Sequence, residues 1–158
     1  MKLLAVIAAL LLSYSSHAQA AVDKTILPFI NAARAKGCTC GEYGVYKPAK
    51  PVKWNDKLAK AAIVHTNDNY SRKDGDFGHT GSDHSSVGTR VERQAYNFMS
   101  VGENIAIGSY TAEGVVEAWL TSPGHCKNIM DPYFKDVGVA KYKGIWTLVI
   151  GIAYDIKK

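Results

Sequence analysis

Two strand-forming runs, Val137 to Tyr142 and Trp146 to Tyr154, meet at Lys143-Gly144 near the end of a chain whose earlier apolar spacing is largely helical. Strands reversed by so short a turn pair antiparallel. With no regular alternation of strand and helix before them, a doubly wound parallel sheet is disfavoured, and an α+β arrangement with helices flanking a small antiparallel sheet is the expected architecture.

The helical segments carry their own punctuation. Ile26, Ile30 and Ala33 recur at helical spacing between Asp23, a candidate N-cap, and Gly37, a candidate stop. A Gly-, Pro- and Tyr-rich stretch from Thr39 to Val52 is too polar and interrupted for regular structure. A second helix begins near Asn55 or Asp56 and sets Leu58, Ala61, Ala62, His65 and Asn69 on one face, its small alanines allowing close approach to a sheet or another helix. From Arg72 to Ser86 the chain is dense in Gly, Asp, Ser and His, the composition of a displayed loop. Ser85 or Ser86 can cap a third helix reaching through Arg90 to Tyr96, and an extended piece then runs from Phe98 to Ile107. Thr111 opens a fourth helix containing Val115, Val116, Trp119 and Leu120, and Ser122-Pro123 reads as N-cap and first residue of a further short turn.

Met1-Lys2, an apolar run from Leu3 to Leu12 and the A-x-A triplet Ala18-Gln19-Ala20 make a secretory signal peptide over residues 1–20, with cleavage after Ala20. The run is too short to span a bilayer, and no later segment is apolar enough to serve as a transmembrane segment. No cysteine follows closely, so a lipid anchor is not indicated. Residues 21–158 then form one domain with room for a single core. The expected address is secreted, extracellular or periplasmic. Lys2 accounts for one unit of the formal charge of +5. The remaining excess is modest and scattered, with Lys47, Lys50, Lys53, Lys57 and Lys60 as one solvated run, and no aromatic-interleaved basic stripe suits nucleic acid.

Three cysteines, Cys38, Cys40 and Cys126, sit in a chain bound for an oxidising compartment. Cys38 and Cys40 stand too close in sequence for an easy mutual bond, so Cys126 pairs with one of them and one thiol is left over. A three-thiolate metal site is the competing reading, although Cys-x-Cys lacks the usual C-x2-C spacing.

The chemistry-bearing residues fall in three short segments: Gly78-His79-Thr80-Gly81, Gly102-Glu103-Asn104-Ile105-Ala106 and Ser122-Pro123-Gly124-His125-Cys126. If the fold gathers them, one carboxylate meets two imidazoles. His65 reads as a hydrogen-bonded core histidine, His84 as a loop histidine able to join the group, and Arg90 as a partner for an acid nearby. Ser82 and Ser122 neighbour the two histidines in sequence, yet no orienting acid completes a serine triad. Trp54, Trp119 and Trp146 read as core.

Taken in this order, with Ile30-Asn31-Ala32-Ala33-Arg34, Val52-Lys53-Trp54-Asn55, Phe77 to Asp83, Trp119, Asn128-Ile129-Met130 and Gly138-Val139, these segments resemble the CAP superfamily (cysteine-rich secretory protein, antigen 5 and pathogenesis-related 1; the SCP domain), in its compact bacterial secreted branch. The resemblance covers essentially residues 21–158. It implies a three-layer α-β-α sandwich and a central cleft formed by His79, Glu103 and His125. It also implies a divalent metal such as Zn2+ with His79 and His125 as ligands, and a disulfide between Cys40 and Cys126, with Cys38 the alternative partner. Many eukaryotic members carry a second glutamate where this chain has Ser122, so a full tetrad is missing. Glu117 lies on the same helix as a substitute whose direction the sequence leaves open.

Three functions follow from that resemblance. The favoured one is a cleft that binds a small-molecule, lipid or peptide ligand or a metal. Next comes a metal-assisted hydrolase of peptide or cell-envelope substrates, with Glu103 as the catalytic general base on a held water. Last is a disulfide-stabilised interaction module for a cell-envelope or host-surface partner.

Overall fold

The computed structural model describes residues 19–72 and 75–154, so the leader reading over residues 1–20 falls outside the described residues except for Gln19 and Ala20. Strand β1, Ala21–Val22, is followed by a 3-10 turn, Lys24–Ile26, that Asp23 caps by accepting from the Thr25 amide. Helix α1, Leu27–Lys36, begins with proline in its first turn and stops at Gly37, whose φ of 73° suits a residue without Cβ. The stretch expected to lack regular structure contains a small hairpin of β2, Cys38–Thr39, and β3, Val45–Tyr46, around a 3-10 turn at Gly41–Tyr43. Composition hides two-residue strands, because so few backbone bonds define them.

After β4, Lys53–Trp54, comes α2, Asp56–Ser71, with Asn55 accepting from the Lys57 and Leu58 amides. Helix α3 spans only Val87–Glu92, with Ser86 as its cap. It ends four residues short of the Tyr96 expected from sequence. Ala95 takes a positive φ of 57°, and Tyr96 turns inward to donate its hydroxyl to Asp136. Strand β5, Phe98–Ile107, leads to α4, Ala112–Thr121, capped by Thr111. The turn expected at Ser122-Pro123 is a full helix, α5, Pro123–Met130. Strands β6, Asp136–Tyr142, and β7, Ile145–Ala153, close the chain as the expected hairpin.

The sheet runs in the order β1-β6-β7-β5. Its neighbours on that path are antiparallel, while β4 pairs in parallel with the Asp136 end of β6, beyond the stretch taken by β1. Alternation along β6 and β7 sorts side chains to two faces. Val137, Val139, Leu148 and Ile150 join Ile26 of the 3-10 turn and Ile30, Val116, Trp119, Ile129 and Met130 from the apolar faces of α1, α4 and α5. Ala140 and Val149 join Leu58, Ala61, Ala62, Val91 and Tyr96 of α2, α3 and the turn that follows α3. Two cores on opposite faces of one sheet make the α-β-α sandwich.

Gly138 sets how close α2 lies. A Cβ there would stand 2.0 Å from the Ala59 backbone nitrogen and 2.5 Å from the Leu58 carbonyl carbon, so only hydrogen fits. On the other face the fully buried Arg34 of α1 donates to the carbonyls of Lys50, Ile129, Asp131 and Phe134, tying α1 to the end of α5 and the turn beyond it. Trp119 and Trp146 are core as expected, whereas Trp54 is only half-buried and donates to Asp56.

Candidate functional site

Strand β5 is the edge of the sheet on its β7-free side, and the site is built across it. Successive side chains of a strand face opposite ways. Glu103 is therefore turned toward the 78–86 loop and α3, while Asn104 is turned toward α5. Asn104 donates to the His125 carbonyl at 3.0 Å, and Asn128 donates to the Glu103 carbonyl and to Asn104 Oδ1 at 3.1 and 2.9 Å. Gly102 makes room for this, since a Cβ there would meet Asn128 Oδ1 at 3.0 Å. These amide contacts fasten α5, and with it His125, to the strand that carries Glu103.

On the other side Arg90, 2 % exposed, holds the loop. Its guanidinium donates to Glu103 Oε2 at 2.7 Å, to the His79 carbonyl at 3.0 Å and to the Ser85 carbonyl at 2.7 Å. His79 Nδ1 lies 2.9 Å from Glu103 Oε1, and His65 Nε2 lies 3.5 Å from the same oxygen. Both carboxylate oxygens are thus occupied, within a side chain only 2 % exposed. Between carboxylate and solvent the His79 ring is 55 % exposed, and its Nε2 is the nitrogen left for a ligand. The half-buried His125 ring stands 6.3 Å from the His79 ring, centroid to centroid. Burial first, and the neighbouring His79 second, hold the His125 imidazole below its ordinary pKa, which keeps it neutral near pH 7.

The structure therefore brings His79, Glu103 and His125 together as one cluster but gives them unequal access. Among the described residues, the group of three His, Cys, Asp or Glu donors whose ligand atoms all lie within 4.8 Å of one another is Cys38, Cys40 and Cys126. The cleft trio forms no such group. Two imidazoles on one tetrahedral zinc, with Zn–N near 2.1 Å, would stand with centroids roughly 5 Å apart. His79 and His125 would have to close by about 1 Å to share an ion, with Glu103 as the carboxylate that orients His79 from behind.

The remaining sequence candidates disperse. His84 is exposed at a positive φ of 62°. Ser82 bonds through its hydroxyl and amide to Asp68, which leaves it engaged away from His79. Glu117 lines a cavity of about 280 Å³ beside Cys38 and Leu120, apart from the His79–Glu103 contact. Arg90 pairs with the buried acid Glu103. His65 is buried as expected, yet it also touches the central carboxylate, and its Nε2 donates to the Gly78 carbonyl at 2.9 Å. The pair His65 and Asn69, polar residues one turn apart on the buried face of α2, was the signal for that extra contact.

Comparison with known proteins places this geometry in context. The profile of the cysteine-rich secretory protein family, CAP, matches residues 27–146. The Bacillus subtilis protein YkwD is 32% identical over 129 residues, covering 80% of this chain and 46% of its own length. The B. subtilis membrane protein YlbC is 28% identical, covering 82% of this chain and 34% of its own length. The chain thus spans less than half the length of these curated relatives. Among solved structures, an extracellular protein containing an SCP domain from Bacillus anthracis superposes with a TM-score of 0.69 at 25% identity, over 81% of this chain and 39% of that one. An outer surface protein from Borrelia burgdorferi shares the fold, with a TM-score of 0.58 at 19% identity over 82% of this chain and 94% of that one.

Proposed function

We propose that this chain, which belongs to the cysteine-rich secretory protein (CAP) family, is an extracellular binding domain whose cleft engages its ligand through the imidazoles of His79 and His125. The observation that carries this reading is the commitment of Glu103. With Arg90 on one oxygen, His79 on the other and a side chain only 2 % exposed, the carboxylate is bonded and screened from solvent, poorly placed to meet an attacking water. A carboxylate so placed orients its histidine instead. Two imidazoles suit a divalent metal held with water or a polar ligand group, and with two protein donors the hold is weak and exchangeable. The extracellular setting is supported by the signal-like first residues and by the description of the B. anthracis relative.

Zinc titration calorimetry on the protein and on a His79→Ala/His125→Ala variant tests the reading. The expected result is a saturable heat that disappears in the variant, with no turnover of peptide or ester substrates in either protein. Equal heats from both would remove the two histidines from the binding site. Peptide or ester turnover by the unaltered chain that is lost on Glu103→Gln, with the fold retained, would replace binding with hydrolysis.

A further inference from the structure

The three cysteine sulfurs gather in one cluster, all within 4.8 Å of one another. Cys40 and Cys126 form a disulfide with Cα atoms 5.4 Å apart, linking the hairpin loop to α5. Cys38, the free cysteine, stands with Sγ 3.3 Å from Cys126 Sγ and 3.8 Å from Cys40 Sγ. A sulfur in line with the disulfide would be nearer to one end than the other by a full S–S bond, about 2 Å. The observed distances are nearly equal, so Cys38 lies beside the bond and must turn to reach an in-line approach. It has space to turn, because it is half-buried and opens on the cavity of about 280 Å³ lined by apolar Phe29, Val116 and Leu120 and by the charged Lys36, Glu113 and Glu117.

We propose that Cys38, Cys40 and Cys126 form a thiol–disulfide exchange centre in which the bond to Cys126 passes between Cys40 and Cys38. The Cys38 thiolate attacks Cys126 Sγ, the Cys38–Cys126 bond forms as the Cys40–Cys126 bond breaks, and Cys40 leaves as a thiolate. Cys40 then takes up a proton in place of the one Cys38 released to solvent, so no oxidant or reductant is consumed. The two isomers close loops that differ by two residues, and loop entropy hardly separates them. What separates them is placement, since Cys40 is 1 % exposed and its liberated thiol would be buried, whereas the Cys38 thiol reaches the cavity. Burial also raises the Cys38 pKa, so the attacking thiolate is scarce at neutral pH and exchange accelerates in base. Cys126 directly follows His125, so the exchange changes which residue of the hairpin, strand or loop, anchors the helical turn that presents an imidazole of the proposed site. The proposal stands independently of what that cleft binds.

The test follows the thiol. Native, oxidised protein is held without added thiol at about pH 8.5, quenched in acid over time, alkylated with a maleimide, and the peptide carrying both Cys38 and Cys40 is fragmented in a mass spectrometer. The expected label divides between Cys38 and Cys40, and the split is reached roughly tenfold more slowly for each pH unit lower. Label confined to Cys38 at every time would overturn the proposal. Cys40→Ser adds a measurement at equilibrium: the folded variant is expected to contain a Cys38–Cys126 bond and no titratable thiol, and two free thiols in that folded variant would also overturn it. Should Cys40→Ser fail to fold, the labelling of the unaltered chain decides alone. Cys38→Ser is the control that retains Cys40–Cys126 and shows no migration.

Discussion

Arg90 and Glu103 lie 2.7 Å apart with both side chains 2 % exposed, and this ion pair joins α3, the His79 loop and β5 at one point. A buried charge that loses its partner costs more than the pair contributes. Arg90→Ala is therefore expected to lower stability by about 3–5 kcal/mol in urea denaturation at neutral pH. Arg90→Met/Glu103→Met should lose clearly less than the sum of the two single changes. Strict additivity would show that the two charges do not act as a pair.

Arg34 makes a second prediction, on the opposite face. It satisfies four carbonyls from a fully buried position, so Arg34→Leu leaves those oxygens without their donor. A loss of about 3 kcal/mol or more is expected, measured as a fall in the urea midpoint. Arg34→Lys, which keeps the charge but not the planar fork, should recover only part of it. An unchanged midpoint in the leucine variant would mean that water replaces the guanidinium at no cost.

Two glycines offer a paired test. At Gly138 an added methyl meets helix backbone, so Gly138→Ala should lower the melting temperature by several degrees, the response to about 1–3 kcal/mol of overpacking. Gly124 in the first turn of α5 has nothing within 4 Å of its Cβ position, and Gly124→Ala should be neutral or slightly stabilising. Equal melting temperatures for the two variants would contradict the close approach of α2.

Stability should also fall on mild acidification through His65. Burial holds this imidazole below its ordinary pKa of 6.5; Glu103 on β5 opposes that, Arg90 on α3 adds to it and Asp68 on its own helix opposes it. The unfolded chain binds the proton at higher pH than the fold does. The full contribution is present above about pH 6.5 and is lost as pH drops through the depressed value, at no more than about 1.4 kcal/mol per pH unit. Urea midpoints between roughly pH 7.5 and 5 should decline more steeply in the unaltered protein than in His65→Gln. Parallel declines would assign the slope to other groups.

Much of this could be read before the fold was known. The first four helices announced themselves through caps and periodicity, and the last two strands through their turn, because those signals are local; α5 showed only its first turn, at Ser122-Pro123. The strands β1 and β4 did not, since each is two residues long and exists only by pairing with β6. At the candidate site, His79, Glu103 and His125 were legible as neighbours, but the contacts that distinguish them were not. Those contacts include Arg90 reaching Glu103 from α3, and a sequence does not show which oxygen a distant guanidinium occupies. Arg34 was equally opaque, because an arginine on an amphipathic helix reads as surface until the carbonyls it binds, up to Phe134, are in place.

The register of β1 on β6 has a consequence for how the molecule comes into being. Val22 meets Ala140 and Lys53 meets Asp136, so the first segments of the domain acquire partners only when the last third of the chain is present. During synthesis, α1 and α2 can flicker as isolated helices but have no sheet to settle on. Closure over such spans is slow, and the unfinished chain stays open and threadable until nearly all of it has been made.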